Sequence, residues 1–436
     1  MVKTITFTNA LIYRNQNFET TNLTITDTKI VAIGPQLIGE IISLPNGSLI
    51  TPGFIDLHAH FREPGQTNKE DLLSGAMAAL YGGYQTVCLM PNTTPTTDNL
   101  NILQPLMEKA RTAPINLKFF GAITKNLAGE EETDWESLNN MVVGFSDDGS
   151  YLANHQMLEA ILRFGANNEK LVSLHVDSRH KLVSETKILR QEVAKKFGLQ
   201  GVDDDYESNP LSRDLGLALK HQLPYHLCHL STQKSVDLLK KSRLINSKIT
   251  AEVTPHHLVL SLEDIHKDDA NFMMNPPLNR AIDRQSLIQA LNEGIIDVIA
   301  TDHAPHEAIS KAGFATGTMG IIGLEFAFPL LYTHLVKTKQ VPLEIILEAM
   351  SIKPAKLINH SDISLNIGNE ATFTILDLAE SQPVLAEKLH SKSHNTPFLN
   401  QELFGWPWAN VQHGKIYYLK GETENVRENS RKNYIN

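Results

Sequence analysis

Ser48-Leu49-Ile50-Thr51-Pro52-Gly53-Phe54-Ile55-Asp56-Leu57-His58-Ala59-His60-Phe61-Arg62-Glu63-Pro64-Gly65 begins as an apolar run and ends in metal-capable and charged side chains. The run reads as a buried strand entering from a turn. Alternate side chains of an extended segment share a face. His58 and His60 therefore point the same way, close enough to hold one metal ion. Arg62 continues that face, where a guanidinium would grip a substrate anion beyond the metal. Two histidines at this spacing also arise by chance on solvated strands, so the rest of the chain has to decide between the readings.

Seven further apolar runs follow: Gln85 to Met90, Asn116 to Ile123, Met141 to Phe145, Leu171 to Val176, Tyr225 to Leu230, Lys248 to Val253 and Ile295 to Ala300. The first in the series is Leu49 to Ile55. Stretches such as Lys69 to Leu80 and Gln156 to Phe164 lie between them, with apolar residues at helical spacing. Eight strand–helix units of this length predict an α/β fold, a (β/α)8 TIM barrel. An open doubly wound sheet would carry a Gly-rich phosphate loop after its first strand, and none is present. The ends of the runs argue more strongly than their number. They finish in His58 and His60, Pro91-Asn92, Asp147-Asp148, His175, His229, His256-His257 and Asp302-His303-Ala304-Pro305-His306. In a barrel these ends converge on one face, where catalysis sits.

Residues 1–50 and 359–436 read differently. Short alternating strands such as Ile5 to Thr8, Leu23 to Ile25, Ile30 to Ile33, Ala371 to Leu376 and Lys415 to Leu419 predict one small β-sandwich domain built from both terminal segments. The barrel is expected over 51–358, and a polar, frayed tail from Gly421.

The chain has 436 residues, 42% hydrophobic and 20% charged, with a net charge of −10. This is globular composition with ample length for a large core. No basic run suggests a nucleic-acid or membrane partner. The N-terminus lacks a signal-peptide core, and no apolar stretch is long enough to span a bilayer. The two cysteines, Cys88 and Cys228, exclude a disulfide framework and fit a reducing cytoplasm. Both read as inert packing, with Cys228 facing away from its neighbour His229.

A hydrolytic two-metal site needs about four imidazoles and two carboxylates. His58, His60, His175, His229, Asp148 and Asp302 supply that set, a combination that suits zinc, with manganese or cobalt also fitting. Each has a plainer alternative. His175 could be a satisfied core histidine. His226 and His229 should lie on opposite strand faces, so that only one looks inward. Asp147 competes with Asp148, and either could cap the next helix. His256 and His257 read as structural.

Taken together, DLHAHFREPG, MPNTTPT, GFSDDG, SLHVD, LCHLST, AEVTPHHLVL, MNPPL, DVIATDHAPH and GLEFAFPLLY resemble the dihydroorotases of the amidohydrolase superfamily, in their bacterial class I branch. The resemblance runs from about residue 51 to 335. It implies that His58, His60 and Asp302 bind one metal ion and His175 and His229 a second, with Asp148 bridging. It implies that Arg62, Asn92 and His306 hold the substrate carboxylate, that Asn275 lies at the ring amide, and that Met319 and Gly320 lie over the ring. The activity implied is the reversible cyclisation of N-carbamoyl-L-aspartate to (S)-dihydroorotate, a step of pyrimidine biosynthesis. It would run by a binuclear metal-hydroxide mechanism with Asp302 as proton carrier and two divalent ions, zinc first. The resemblance further implies a small-molecule substrate, a homodimer and possible association with aspartate carbamoyltransferase.

Many relatives bridge their metals with a carboxylated lysine. Lys118-Phe119-Phe120 matches that pattern superficially but lies early in the third run, so Lys118 reads as a decoy. Met319 stands where the family often has an aromatic residue. The acidic stretch Gly201 to Glu207 is unusual for the family and reads as a solvated loop. The competing activities are those of an allantoinase or hydantoinase, or of a non-catalytic partner of the carbamoyltransferase.

Overall fold

The protein is described by a computed structural model covering residues 3–360 and 362–419. The chain opens with β1 (Thr4–Arg14), β2 (Asn17–Thr26), β3 (Lys29–Gly34) and β4 (Glu40–Pro52). Asn15 and Gln16 link β1 to β2 with φ of 48° and 61°. Two consecutive positive φ values match the twist of a two-residue hairpin. β4 then pairs parallel to β1 and antiparallel to a strand from the far end of the chain, β13 (Phe373–Pro383). Between them lie the barrel strands β5 (Phe54–Ala59), β6 (Tyr84–Leu89), β7 (Asn116–Ala122), β8 (Gly144–Ser146), β9 (Leu171–Leu174), β10 (Tyr225–Leu227), β11 (Ile249–Val253) and β12 (Val298–Ile299). With β14 (Glu402–Gln412) and β15 (Lys415–Leu419), the terminal segments form one seven-stranded sheet in the order β15-β14-β13-β4-β1-β2-β3. Phe7, Ile12, Leu23, Ile50, Phe373 and Val411 form its core, with Phe7 edge-on to Phe373 at 5.6 Å.

The barrel strands are parallel and lie in chain order. Closure comes from a parallel bridge between Ala59 and His303, with the His60 amide donating to the His303 carbonyl at 2.9 Å. Helices such as Leu72–Tyr81, His155–Asn168 and Gln233–Arg243 cover the outside. Their buried Leu80, Ile161 and Leu239 pack in one cluster with Val87, Phe145 and Leu174 of the strands. Asp71 starts the first of these helices by accepting from the amides of Leu73 and Ser74, which satisfies donors a helix leaves open.

The first apolar run divides differently from expectation. Leu49 to Pro52 belong to β4 of the terminal sheet, and the barrel begins only at Phe54. The chain changes sheets at Gly53, where an added Cβ would lie 1.7 Å from the Gln85 side chain. Only glycine allows so close an approach. The expected tail, Gly421 to Asn436, lies outside the described residues. No helix among the described residues is long and apolar enough to cross a membrane.

Candidate active site

β5 carries one residue more than β6 between the pairs Asp56–Val87 and Ala59–Leu89. Such a bulge re-aims a side chain at the end of a strand, and His58 sits in it. Three other residues at strand ends hold left-handed backbone: Arg62 (φ 58°), His229 (φ 31°) and Asp302 (φ 48°). Non-glycine residues in that region cost about 1–3 kcal/mol each and gather at functional sites.

Two expectations based on strand alternation therefore fail. Arg62 does not continue the strand face, because β5 ends at Ala59; its side chain reaches the same cavity from a turned backbone. His226 and His229 do not divide between faces. β10 ends at Leu227, and with the left-handed turn at His229 that ring reaches Asp148 and His175, while His226 faces Glu252. Cys228 also comes in, with a ligand-capable atom within 4.8 Å of those of His58 and Glu252. Burial pushes its thiol up to about 12, so it stays protonated.

The six expected residues come together. Asp148 Oδ1 lies 3.3 Å from His58 Nε2, 3.5 Å from His175 Nδ1 and 3.6 Å from His229 Nε2. Its Oδ2 lies 3.5 Å from His60 Nε2. Asp302 Oδ1 lies 2.9 Å from His60 Nε2 and 3.7 Å from His58 Nε2. His175 Nδ1 and His229 Nε2 are 2.9 Å apart. Burial works to raise both carboxyls, but the surrounding imidazoles outweigh it and hold Asp148 and Asp302 well below the ordinary range. His58 Nε2 and Asp148 Oδ1 are buried yet make no hydrogen bond. Buried polar atoms are normally satisfied. Orphans facing each other in a nest of imidazoles and carboxylates fit a divalent cation between them.

Asp147 is the structural member of its pair. It accepts from the amides of Ile123 (2.7 Å) and Thr124 (3.0 Å), and burial pushes its carboxyl up to about 6. Lys118 lies in the first half of β7, beside Cys88 of β6. It lines a separate cavity of about 570 Å³ with Asn116 and Asn359 that shares no residue with the cavity over His60 and Asp302. His257 bonds Thr254 (2.7 Å) and the Pro276 carbonyl (3.1 Å). His303 takes the Gly323 amide on Nδ1 at 3.2 Å.

The residues that aim the imidazoles escaped the sequence reading. Glu252, fully buried in β11, lies 2.6 Å from His58 Nδ1 and 3.4 Å from His226 Nε2. Its carboxylate can only accept, so Nδ1 of His58 carries the proton and Nε2 turns its lone pair to the site. Burial would raise Glu252, but His58 and His226 hold it at about 2. Asp177 does the same for His175, at 2.7 Å from Nε2. Tyr206 OH stands 3.1 Å from both Asp177 and Asn275. Asn275 in turn donates to Asp177 at 2.9 Å.

Tyr206 overturns the reading of the acidic stretch as a solvated loop. The segment enters the helix Asp205–His221, and its buried Glu207 accepts from the amides of Ser231 and Thr232. Asn92 aims His60, with Oδ1 2.8 Å from Nδ1.

A cavity of about 230 Å³ opens over this cluster, lined also by Arg62, Arg179, Asn275, His306, Met319 and Gly320. Arg62 donates to the Pro305 carbonyl at 3.2 Å and lies 3.2 Å from His306 Nε2. Arg62 does not pair with the neighbouring acid Glu63, which is taken by Lys109 and the Leu72 amide. Gly320 has φ 110°, and a Cβ there would meet Ala304 Cβ at 2.6 Å. Glycine is thus required at the cavity wall, whatever residue stands at 319.

Residues 49–412 match the Amidohydrolase family. The dihydroorotase of Bacillus cytotoxicus is 39% identical over 406 residues, covering 92% of this chain and 94% of its own. That of Bacillus cereus (strain AH820) matches to the same extent. Among solved structures, the L-hydantoinase (dihydropyrimidinase) of Arthrobacter aurescens superposes with a TM-score of 0.82 at 21% identity, over 97% of both chains. The D-hydantoinase (dihydropyrimidinase) of a Thermus species gives 0.82 at 21%, over 96% of both. At that identity the likeness shows a shared fold, a barrel with a sheet domain built from the two terminal segments. Family match, fold and clustered histidines and aspartates lead to one conclusion: the chain belongs to the amidohydrolase family, as a metal-dependent hydrolase of cyclic amides.

Proposed function

We propose that the chain is a dihydroorotase, interconverting N-carbamoyl-L-aspartate and (S)-dihydroorotate in pyrimidine biosynthesis. The observation that carries this is Arg62. Its guanidinium lines the cavity and makes no ion pair with an acid among the described residues. Burial pulls it down only to about 10, so it is charged at neutral pH. A cation with acids near it but none in direct contact, facing a cavity smaller than a drug-sized site, calls for a small substrate bearing a carboxylate. Dihydroorotate has one on its ring; hydantoin and allantoin do not.

His58, His60 and Asp302 would hold one divalent ion and His175 and His229 a second, with Asp148 between them; zinc suits this donor set. Bound there, such ions supply an activated water and polarise a carbonyl. The protein's own groups do the rest. Arg62 grips the ring carboxylate, supported by His306, and the Asn92 amide donates on the same side while its carbonyl oxygen aims His60. Asn275 fixes the wall nearest the ring amide through Tyr206 and Asp177. Asp302 takes the proton of the attacking water and hands it to the departing ring nitrogen. In the cyclising direction that proton returns along the same path. The end of β8 offers aspartate and no lysine, unlike the lysine-bridged pattern.

The test is a direct comparison. Purified, zinc-loaded protein should hydrolyse dihydroorotate with a kcat/KM at least about 10²-fold above that for hydantoin or allantoin, because a site built for a polar group rejects substrates lacking it. Equal rates on the three would refute the substrate assignment.

A further inference from the structure

Lys311 ends a short 3-10 turn, Ala308–Lys311, and is only 8% exposed. Its ammonium has no carboxylate partner among the described residues. It donates instead to three backbone carbonyls: Thr318 at 2.7 Å, Gly320 at 2.9 Å and Met273 at 3.4 Å. Thr318 and Gly320 flank Met319, and Met273 stands two residues before Asn275. The ammonium therefore ties together two loops that form one wall of the cavity. The Gly320 amide donates to the Met273 carbonyl at 2.9 Å. The Gly320 carbonyl also accepts from Asn395 at 3.0 Å, and Asn395 accepts from the His306 amide at 3.0 Å.

A buried cation is costly to keep. Burial draws Lys311 down to about 7, opposed only by the more distant Asp269. A methionine would fill similar space without that cost. What an apolar side chain cannot do is hold three carbonyls at one point, and tetrahedral –NH₃⁺ carries three donors.

We infer that Lys311 is a positioning residue for substrate binding: its ammonium fixes the Thr318–Gly320 segment against Met273–Asn275 and so sets the width of the cavity over the substrate ring. This rests on the proposed reading of the cavity. Lys311 touches none of the imidazoles or carboxylates that would hold metal, so it should act on affinity and leave the chemical step alone.

The test is steady-state kinetics of the zinc-loaded enzyme on dihydroorotate, with zinc content and thermal melting measured in parallel. Lys311→Met should raise KM about tenfold, the scale of losing charge-assisted hydrogen bonds. The kcat should stay within about threefold and the zinc content should not change. Lys311→Gln keeps two donors on a shorter arm and should raise KM less; it carries the test if the methionine variant does not fold. An unchanged KM in the folded variant would overturn the inference. So would a fall in kcat and zinc content together, which would give Lys311 a general structural role. Failure of the underlying reading looks different: the unmodified enzyme would then prefer another cyclic amide, and the same split of KM from kcat would be measured on that substrate.

Discussion

Glu252→Gln is a sharp test of how the site is held. The substitution keeps the volume of a fully buried side chain and removes its charge. In the native protein the carboxylate lies 2.6 Å from His58 Nδ1 and 3.4 Å from His226 Nε2, and accepts from the His229 amide at 3.3 Å. One group thus fixes the tautomer of His58 and the backbone of His229. A glutamine offers one acceptor oxygen and one NH₂. If its oxygen takes the His58 proton, its NH₂ faces His226, whose ring can flip its tautomer to accept. The fold should survive, while His58 loses a charged partner. Removing such a partner typically costs 10–100-fold in metal affinity or activity, which is about 1.4–2.7 kcal/mol at 1.36 kcal/mol per decade. The assay is competition for zinc against a chelator of known affinity, read beside a thermal melt. A variant that melts normally and binds zinc as tightly as the parent would show that Glu252 only fills space.

Asp302→Asn should retain most of its shape but lose its proton-carrying role, lowering kcat by about 10²–10⁴; near-normal turnover with metal bound would remove Asp302 from proton transfer. Asp148→Ala should lose metal, while Asp147→Ala should keep it and lose about 1–3 kcal/mol of stability through two unpaired buried amides; urea melts with zinc analysis separate the two. Arg62→Lys should fail to restore the native kcat/KM for dihydroorotate, since an ammonium lacks the planar fork, and zinc content should be unaffected. An equal loss on a cyclic amide without a carboxylate would make Arg62 a general support. Protein purified without chelator should carry two divalent ions per chain by elemental analysis, and a ratio that never passes one after zinc supplementation would rule out the shared position of Asp148.

The barrel was legible because its strands are apolar runs whose polar residues gather at one end. The histidine pair was legible as a motif, although a bulge at His58 and the end of β5 at Ala59 mean that strand alternation is not what brings the two rings together. Alternation over longer spans was not reliable. Left-handed backbone at Arg62, His229 and Asp302 has no sequence mark when the residue is not glycine. Glu252 was missed because it lies within the run Lys248 to Val253, where it reads as one polar position in a strand. The available signal was that a carboxylate within a buried strand must be paired. Asp177 carried a clearer mark, two residues after His175 and so on the same side. Tyr206 was hidden by its acidic neighbours, which suggest solvent. Of those acids, Asp204 pairs with Arg190 and Arg280, Asp205 with Lys234, and Glu207 accepts from the amides of Ser231 and Thr232.

Charge balance links the metal and substrate proposals. Asp148, Asp302 and Glu252 are all buried against the imidazole cluster, while Asp177 has Arg179 at 3.4 Å. With the imidazoles neutral, as ligands must be, three carboxylates remain, and Arg62 is the cation beside them. One divalent ion would bring that set to neutrality, leaving an anionic substrate little electrostatic reason to enter. A second, as proposed, would make the cavity positive and would leave Arg62 to face a substrate carboxylate instead of compensating the protein's own acids. The unpaired guanidinium and the orphaned atoms His58 Nε2 and Asp148 Oδ1 then have a common cause. On the proposed reading both would await partners from solution, metal ions at the imidazoles and a carboxylate at the guanidinium.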